Sequence, residues 1–410
     1  MRRTESVHEL GILRTAAFVL TGYVLFAVFR FTIGLMLPGL TAEFRLSPAQ
    51  SGAFASAPLL ATVLTMSIGG YTSDRFNRKL VFSMGSLILW VGALLSSISP
   101  SYLLALAFIF VAGAGAGFLP PSIYSIMGDL RPQARASLTG TTAAVYNVGG
   151  FVGSVGLGWL IGLSGWRISL TELSVLGLIY LPIMVLFMGS VPDSRGSEAA
   201  GGRSSLSYLA LAKSKNIALA GSSLFMAMYA SFAVMSWAPT YLAGIGIASS
   251  LSGVVIGVFS LAGAFAAFVS GRLADAWSEK RLILTTGAVA GIVSALLFMS
   301  SLNFAIMIVL VVLLGFMVWP SWNLVTSMVQ RLADPAAVGS TTGLVQTLGM
   351  TGGFLGPILT GVLVRYFALG PTLLGSVTIT LWLYALLITP FRDSTRKAGV
   401  DSPFPGRQNG

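Results

Sequence analysis

The sequence contains no cysteine and a single histidine, His8. Disulfides and thiolate metal sites are therefore excluded, and no cluster of His, Asp and Glu has metal-ligand spacing. The phosphate-binding pattern GxxxxGK[ST] is absent as well, so nothing supports ATP drive within this chain. These absences predict a protein without a cofactor or metal, and they leave no catalytic constellation for an enzyme.

Charge is also scarce. Only 9% of the 410 residues are charged, whereas an ordinary soluble domain is roughly one quarter charged. In contrast, 55% of the residues are hydrophobic and the mean hydropathy is +0.86. Because so few charges cannot cover a soluble surface of this size, the composition predicts an all-α integral membrane protein in contact with the lipid bilayer.

Apolar runs long enough to cross a bilayer as helices, roughly 20 residues each, divide the chain. They predict twelve spans, at 15–40, 49–71, 79–98, 101–127, 137–163, 168–190, 216–242, 249–272, 281–299, 302–330, 338–364 and 370–391. A polar, Gly/Ser-rich stretch at 190–208 is typical of a linker. The predicted organisation is a six-helix half at 1–190, a cytoplasmic linker at 191–215, a second six-helix half at 216–392 and a cytoplasmic tail at 393–410.

The basic residues predict the orientation, because loops on the cytoplasmic side carry an excess of Lys and Arg. With these spans, 20 of the 24 basic residues lie on one side. The other side holds Arg45, Arg167 and Arg365, and Arg30 lies inside a span. This asymmetry accounts for the net charge of +11 without any nucleic-acid partner. It places both termini in the cytoplasm, and the compact loops favour a prokaryotic inner (plasma) membrane.

The two predicted halves share an internal repeat. At an offset of 201 residues, Ser51-Gly52 aligns with Ser252-Gly253 and Gly70 aligns with Gly271. At an offset of 203, "GGFVGS" (149–154) aligns with "GGFLGP" (352–357). Nearly constant offsets at separate places indicate duplication. Two repeats related by an axis along the membrane normal are typical of transporters, whose substrate site lies between the halves near the midplane.

The stretch "GYTSDRFNRK" (70–79) resembles the loop signature GxxxDRxGRK of the major facilitator superfamily (MFS). Asn77 stands at the second glycine, and Asn is the commonest substitute where a positive φ is needed. "GGFVGSVGLG" (149–158) resembles the fifth-span pattern of antiporters, with Ser154 in place of proline. The resemblance covers the whole chain and implies the MFS fold, with twelve transmembrane helices in two pseudo-symmetric six-helix bundles.

The same resemblance implies a conformational latch in the loop between spans two and three, with a weaker copy in "GRLADAWSEKR" (271–281). We expect Asp74 and Arg78 to hold the cytoplasmic ends of the halves together in the outward-open state. The residues assigned to this latch are Gly70, Asp74, Arg75, Arg78, Gly271 and Asp275. Positive-inside anchoring alone would explain the basic residues but not Asp74 or its repeat.

Arg30 is the sharpest single candidate for substrate binding. It follows Arg14 by 16 residues, about 24 Å along a helix, which places it well inside the bilayer. The spans contain no obvious carboxylate that could neutralise Arg30. An anionic substrate could therefore form the ion pair with Arg30, and the planar guanidinium is well matched to a carboxylate. Otherwise Arg30 is a structural residue tied to carbonyls and to Asn147 or Tyr124. The repeat places Ser231 at the equivalent position, where some organophosphate carriers of the superfamily that the chain resembles have a second basic residue. The resemblance therefore favours a singly charged anion.

Other polar and aromatic residues lie in the cavity-forming spans and are predicted to contact substrate, although each could instead bridge two helices. They are Tyr124, Asn147, Tyr229, Trp322, Asn323 and Gln346. Glu172 is the only acid near a span and is the candidate for proton coupling, but Arg167 precedes it and could pair with it.

The leading hypothesis is a secondary active transporter of a small carboxylate-type organic anion, by symport or antiport, working as a monomer through alternating access. The spacing between Arg30 and Pro38 in "RFTIGLMLP" (30–38) supports this hypothesis. The same Arg-x7-Pro spacing occurs in organic-anion members of the superfamily that the chain resembles. The alternative is an MFS efflux transporter for drugs or other hydrophobic compounds, supported by the aromatic content and the glycine-rich fifth span.

Overall fold

The computed structural model of the chain describes residues 2–130, 135–189, 214–299, 303–333 and 338–391. Within these ranges the side chains of residues 2–10, 74, 135–140, 275–276, 332 and 338–340 are not described. All regular secondary structure in the described ranges is helical. Most of the predicted linker at 191–215 and the whole tail at 393–410 lie outside the described residues.

The described residues form thirteen helices, several of which are separated by only a few residues. They are α1 (Arg2–Phe44), α2 (Pro48–Arg75), α3 (Arg78–Ser97), α4 (Tyr102–Ala116), α5 (Leu119–Leu130), α6 (Arg135–Phe187), α7 (Lys215–Gly244), α8 (Ser249–Ala276), α9 (Glu279–Met299), α10 (Phe304–Val318), α11 (Ser321–Leu332), α12 (Val338–Leu363) and α13 (Leu369–Leu386).

Ten stretches of the described residues are helical, long and apolar enough to cross a membrane. One of them, Thr141–Phe187, has 47 residues and turns at Gly165, whose φ of 80° is a conformation that favours glycine. Its two arms correspond to predicted spans five and six. Val338–Leu363 corresponds to span eleven but is not among the ten, so the count of twelve stays a prediction.

Two predicted spans are broken at corresponding places. Span four divides into α4 and α5 at Gly117-Phe118, just before Pro120-Pro121, and span ten divides into α10 and α11 at Trp319-Pro320. Proline removes a backbone donor and clashes with the preceding turn of a helix. Glycine- or proline-interrupted spans in matching positions of two repeats point to the binding site of a transporter.

The helix ends show why the loops turn where they do. Ser47 caps α2 in a reciprocal pair with Gln50, and Pro48 occupies the first turn. Asn77 caps α3 by accepting hydrogen bonds from the backbone N–H of Lys79 and Leu80. Its φ is −59°, so the expected positive φ at Asn77 is wrong. Asn is favoured here because its side chain satisfies free N–H groups at a helix start.

Each half has its own hydrophobic core. One core joins buried residues between Val19 and Met188, and the other is built mainly from residues between Ala220 and Phe391. Many large apolar side chains remain exposed, including Leu103 at 72% and Leu186 at 77%. Such an apolar exterior fits a protein whose outer solvent is hydrocarbon.

Contacts in the two halves repeat with the sequence offset. Lys79 Nζ donates to Met188 O at 2.8 Å, and Lys280 Nζ donates to Phe391 O at 2.7 Å. In both halves a lysine at the start of the third span therefore binds carbonyls where the sixth span ends. Cations at these positions are also favoured by the helix dipole.

The halves meet closely at one end of the bundle, which we call the closed end and which contains the α1–α2 and α7–α8 connections. A Cβ added to Gly52 would lie 2.5 Å from Pro357 O, and Gly253 approaches Ser154 O in the equivalent way. Ser56 Oγ donates to Phe354 O at 2.5 Å across the same interface. The opposite end, with the α2–α3 and α8–α9 connections, is called the open end. There Gly271 and Gly343 have no atom within 4 Å of an added Cβ.

Candidate substrate site

Arg30 lies near the middle of α1 and is only 8% exposed. It lines a small cavity together with Gly34 of α1, Pro58 of α2, and Phe232 and Ser236 of α7. The cavity thus receives walls from both halves. It leaves room for about one water molecule, so a ligand larger than water requires the surrounding side chains to move.

The partners of Arg30 are neutral. The Tyr146 side chain is the polar group that interacts with its guanidinium, and its Cζ lies over the Phe232 ring at 4.9 Å from the ring centre. Arg30 Nε is buried and has no hydrogen-bond partner among the described residues, where Arg30 also forms no ion pair. A buried cation without a counter-charge is unfavourable, so the site is prepared for an anion.

Aromatic side chains surround this cation on the side facing α5 and α6. We call Tyr23, Phe31, Tyr124, Tyr146 and Trp319 the aromatic wall. Tyr23 lies 5.2 Å from Tyr146 and 6.3 Å from Tyr124 between ring centres. Phe31 lies 5.7 Å from Tyr146 and 5.9 Å from Trp319. The wall therefore joins the N-terminal half to the broken tenth span of the other half.

Asn147 lies beside the aromatic wall and is 8% exposed. Its Nδ2 donates to Ala143 O at 3.1 Å, whereas its Oδ1 is buried without a hydrogen-bond partner in the described part of the chain. Its carbonyl accepts a hydrogen bond of 3.0 Å from Ser260 Oγ in the opposite half. Asn147 thus joins the halves through its backbone carbonyl, and its side-chain Oδ1 remains available to accept a hydrogen bond.

The structure brings Arg30, Tyr124 and Asn147 together around one interface, but it places the other predicted contacts elsewhere. Tyr229 directs its hydroxyl to Thr360 Oγ1 of α12 at 3.4 Å. Gln346 Nε2 reaches Thr326 Oγ1 at 3.5 Å. Trp322 packs against the C-terminal core, and Asn323 is exposed. Substrate contact by these four residues stays a prediction.

Glu172 lies on α6 with an exposed side chain. Arg167, which could have paired with it, instead pairs with Glu43 at 2.6 Å and donates to the carbonyls of Ser97 and Ser99 at 2.6 and 2.8 Å. The pairing with Glu172 considered from the sequence is therefore wrong. A role for Glu172 in proton coupling stays a prediction, and its exposed position does not strengthen it.

The residues of the predicted latch lie at the open end. Arg78 forms an ion pair with Asp129 of α5 and donates to Ser125 O at 3.3 Å, so these contacts stay within the N-terminal half. The guanidinium of Arg75 lies over Tyr71, 4.5 Å from the ring centre, and Gly70 and Gly271 occur in α2 and α8. The side chains of Asp74 and Asp275 lie outside the described residues. The latch between the halves therefore stays a prediction.

The second half has a corresponding ion pair with the charges exchanged. Glu279, at the repeat position of Arg78, lies 2.9 Å from Arg331 of α11 through Oε1 and Nε. Glu279 also accepts a hydrogen bond from Ser327. In both halves an ion pair thus joins the start of the third span to the end of the fourth.

Sequence reasoning missed two residues that touch Arg30. Tyr146 stands directly before Asn147, and its aromatic ring was available as a candidate on the same helix turn. Phe232 aligns with Phe31 at the repeat offset of 201, which would have shown that two equivalent rings approach the interface. Their contact with Arg30 depends on how α1, α6 and α7 cross, which local patterns do not report.

The chemistry of this site is binding rather than bond-making. It holds one cation, several phenolic hydroxyls and flat aromatic surfaces. No group of His, Cys, Asp and Glu in the described ranges could hold a metal ion. Two helical bundles that meet around a lone buried guanidinium define the class as a membrane transporter of a small molecule.

The comparison with protein families gives the same answer. Residues 19–357 match the family model described as Major Facilitator Superfamily. The chain belongs to the Major Facilitator Superfamily and is a transporter, not an enzyme. The predicted family and the all-α membrane fold are thereby confirmed.

Relatives within the family include carriers named for organic anions. A hexuronate transporter of Bacillus subtilis is 25% identical over 82% of this chain and 84% of its own length. A 4-hydroxybenzoate transporter of Acinetobacter baylyi is 24% identical over 66% and 67%. A multidrug resistance protein B homolog of Mycobacterium tuberculosis is 29% identical but covers only 39% of this chain and 30% of its own.

A solved structure shows the same fold. It is a bacterial homolog of the human lysosomal transporter Spinster, in an inward-facing and unoccupied conformation. It is similar with a TM-score of 0.76 at 17% identity, over 93% of this chain and 95% of that chain.

Proposed function

We propose that this protein carries a small organic anion with a single carboxylate across the membrane by alternating access. Arg30 binds the carboxylate. The observation that carries the proposal is a guanidinium buried between the two halves, with Nε unpartnered and no acid paired to it in the described ranges. Guanidinium and carboxylate form strong charge-assisted pairs. The names of the hexuronate and 4-hydroxybenzoate relatives support the same substrate class.

The two ends of the bundle support alternating access. Gly52 and Gly253 approach the opposite half at the closed end, whereas Gly271 and Gly343 at the open end have no atom within 4 Å of an added Cβ. We place the open end in the cytoplasm because the basic residues concentrate there. In this proposal the structure is inward-facing, the protein is a monomer with both termini in the cytoplasm, and it resides in a prokaryotic inner membrane.

The direct test is uptake into proteoliposomes of labelled 4-hydroxybenzoate and glucuronate by wild type, Arg30→Ala and Arg30→Lys. We expect Arg30→Ala to abolish uptake and Arg30→Lys to reduce it by at least about tenfold, because an ammonium cannot replace the planar fork of a guanidinium. Arg365→Ala is the control, since Arg365 is exposed at the closed end. Uptake of neither anion, or uptake that survives Arg30→Ala, would contradict the proposal.

The alternative is efflux of hydrophobic compounds. The aromatic wall favours it, because aromatic rings bind diverse apolar ligands through their faces, and a multidrug relative matches part of the chain. Extrusion of ethidium by wild type that is unchanged in Arg30→Ala supports this alternative. The positive charge of Arg30 would repel a cationic dye, so we rank the organic anion first.

A further inference from the structure

Two phenylalanines occupy equivalent positions in the halves and rest on equivalent glycines. Phe31 and Phe232 are related by the offset of 201, and Gly150 and Gly353 by the offset of 203. A Cβ added to Gly150 would lie 2.7 Å from the Phe31 ring, and one added to Gly353 would lie 2.9 Å from the Phe232 ring. Each ring thus lies against a glycine of its own half that leaves no space for a side chain.

The two rings differ in what they meet across the interface. Phe31 reaches toward the C-terminal half and lies 5.9 Å from Trp319, within the core of that half. Phe232 reaches toward the N-terminal half and lies under the Arg30 guanidinium. The internal repeat therefore supplies a natural pair in which one ring contacts a cation and the other does not.

The contact with Phe232 is buried, because Phe232 is only 7% exposed and Arg30 only 8%. Cation–π attraction is strongest when it is desolvated. It uses the face of the ring and none of the N–H groups of the cation. Arg30 can therefore be held by Phe232 and by the Tyr146 hydroxyl while its Nε–H stays available.

We propose that Phe232 is a positioning residue, contributed by the opposite half, that holds the Arg30 guanidinium ready for the substrate carboxylate. The inference rests on the proposed function of Arg30. It adds that anion affinity depends on a residue of the other half, so the binding strength is tied to the arrangement of the two halves. Preorganising a binding group in this way raises affinity by reducing the ordering that binding requires.

The test compares Phe232→Leu with Phe82→Leu in the uptake assay, using 4-hydroxybenzoate and glucuronate as probes. Phe82 is fully buried in the N-terminal core, and its ring lies 2.8 Å from a Cβ added to Gly22, so it is a matched ring against a glycine outside the site. We expect Phe232→Leu to raise the KM by about tenfold with a nearly unchanged Vmax per folded transporter. Phe82→Leu should change the KM by less than about twofold to threefold. Phe232→Tyr, which keeps the ring face, should restore the wild-type KM.

Several outcomes would overturn the inference. Equal KM values for the two leucine variants would do so, and so would a loss of Vmax with an unchanged KM, which indicates packing alone. If Phe232→Leu does not reach the membrane, Phe232→Met provides the same comparison with a flexible, unbranched side chain that adapts to the space. Uptake that is independent of Arg30 refutes both this inference and the proposed function. Uptake that requires Arg30 but is indifferent to Phe232 refutes only this inference.

Discussion

At the scale of single residues, Arg30 draws its importance from the chemistry of its neighbours. A mid-membrane Arg costs at least roughly 2.5–3.5 kcal/mol to insert. The described neighbours compensate in part, with the Tyr146 side chain as a polar neighbour and the Phe232 ring as a polarisable surface. Neither of these neighbours neutralises the charge of Arg30, so a bound anion would supply the rest of the stabilisation that the buried guanidinium needs.

The Tyr146 hydroxyl is therefore expected to affect anion binding. Tyr146→Phe removes the hydroxyl that interacts with Arg30, and the loss of a polar partner of a charged group is expected to raise the KM by about tenfold. Uptake kinetics in proteoliposomes measure this change. Tyr102→Phe is the control, because its hydroxyl donates to Gln50 O at 2.9 Å near the closed end. An equal rise in KM for both variants would count against the site.

At the scale of helices and their contacts, Arg167 organises one corner of the closed end. It joins Glu43 at the end of α1 to two carbonyls at the end of α3, those of Ser97 and Ser99, and it follows directly after the turn of α6 at Gly165. Trp166 Nε1 donates to the other oxygen of Glu43 at 2.8 Å. The corner is held together by charge-assisted hydrogen bonds, which are stronger than neutral ones.

Removing this corner is expected to lower stability rather than anion affinity. Arg167→Ala removes the donor to Glu43 Oε1 and to two carbonyls, so we expect the apparent Tm in detergent to fall by a few degrees, as measured by thermal unfolding. The ion pair is partly exposed, which limits its contribution. Arg365→Ala, a substitution at another exposed basic residue of this end, should leave the Tm unchanged. A large rise in KM for Arg167→Ala at unchanged Tm would refute this assignment.

The glycines of the closed end are expected to control the conformational equilibrium. Because a Cβ at Gly52 would lie 2.5 Å from Pro357 O, Gly52→Val should prevent closure and favour the state in which this end is open. The chain lacks cysteine, so a single cysteine introduced at Ser236 reports access to the cavity. We expect its reaction with an impermeant maleimide, added from the closed-end side, to become faster.

A matched substitution separates this effect from a general disturbance of the helices. Gly156 lies on α6 with no atom within 4 Å of an added Cβ. Gly156→Val should leave the reactivity of the cysteine at Ser236 unchanged. If Gly52→Val gives no increase over Gly156→Val, then the glycine contacts do not control closure.

At the scale of the whole molecule, charge and repeat act together. Most of the basic residues in the described ranges lie at the open end, where Lys79 and Lys280 bind carbonyls at the ends of the sixth spans. The same side chains can thus serve orientation in the membrane and packing of each half. Orientation decides which side of the membrane the open end faces, and therefore the side from which a substrate can enter the cavity.

The orientation has a simple test. Ile245 is 56% exposed at the closed end, and Trp277 is 57% exposed at the open end. In intact bacterial cells, a cysteine introduced at Ile245 should react with an impermeant maleimide. A cysteine introduced at Trp277 should react only after the membrane is permeabilised. The reverse pattern would place the termini outside and make the structure outward-facing.

The sequence by itself determined the membrane class, the duplication and the lone cation within a span, because each is a property of composition, spacing or repetition. It also led to the superfamily, through the residues around Gly70. Asn77 shows where such reasoning stops. The residue type was compatible with a positive φ, but a free helix start decided that Asn77 would act as a cap.

Only the tertiary structure decided which side chains share the site. Tyr146 and Phe232 contact Arg30, while Tyr229 turns to Thr360 and Arg167 turns to Glu43. Which partner each side chain contacts depends on how helices far apart in the chain cross and on their register. The packing of entire helix faces against each other sets that crossing and register. A repeat with a nearly constant offset therefore produced two equivalent phenylalanines with different partners, since only one half places an arginine opposite the ring.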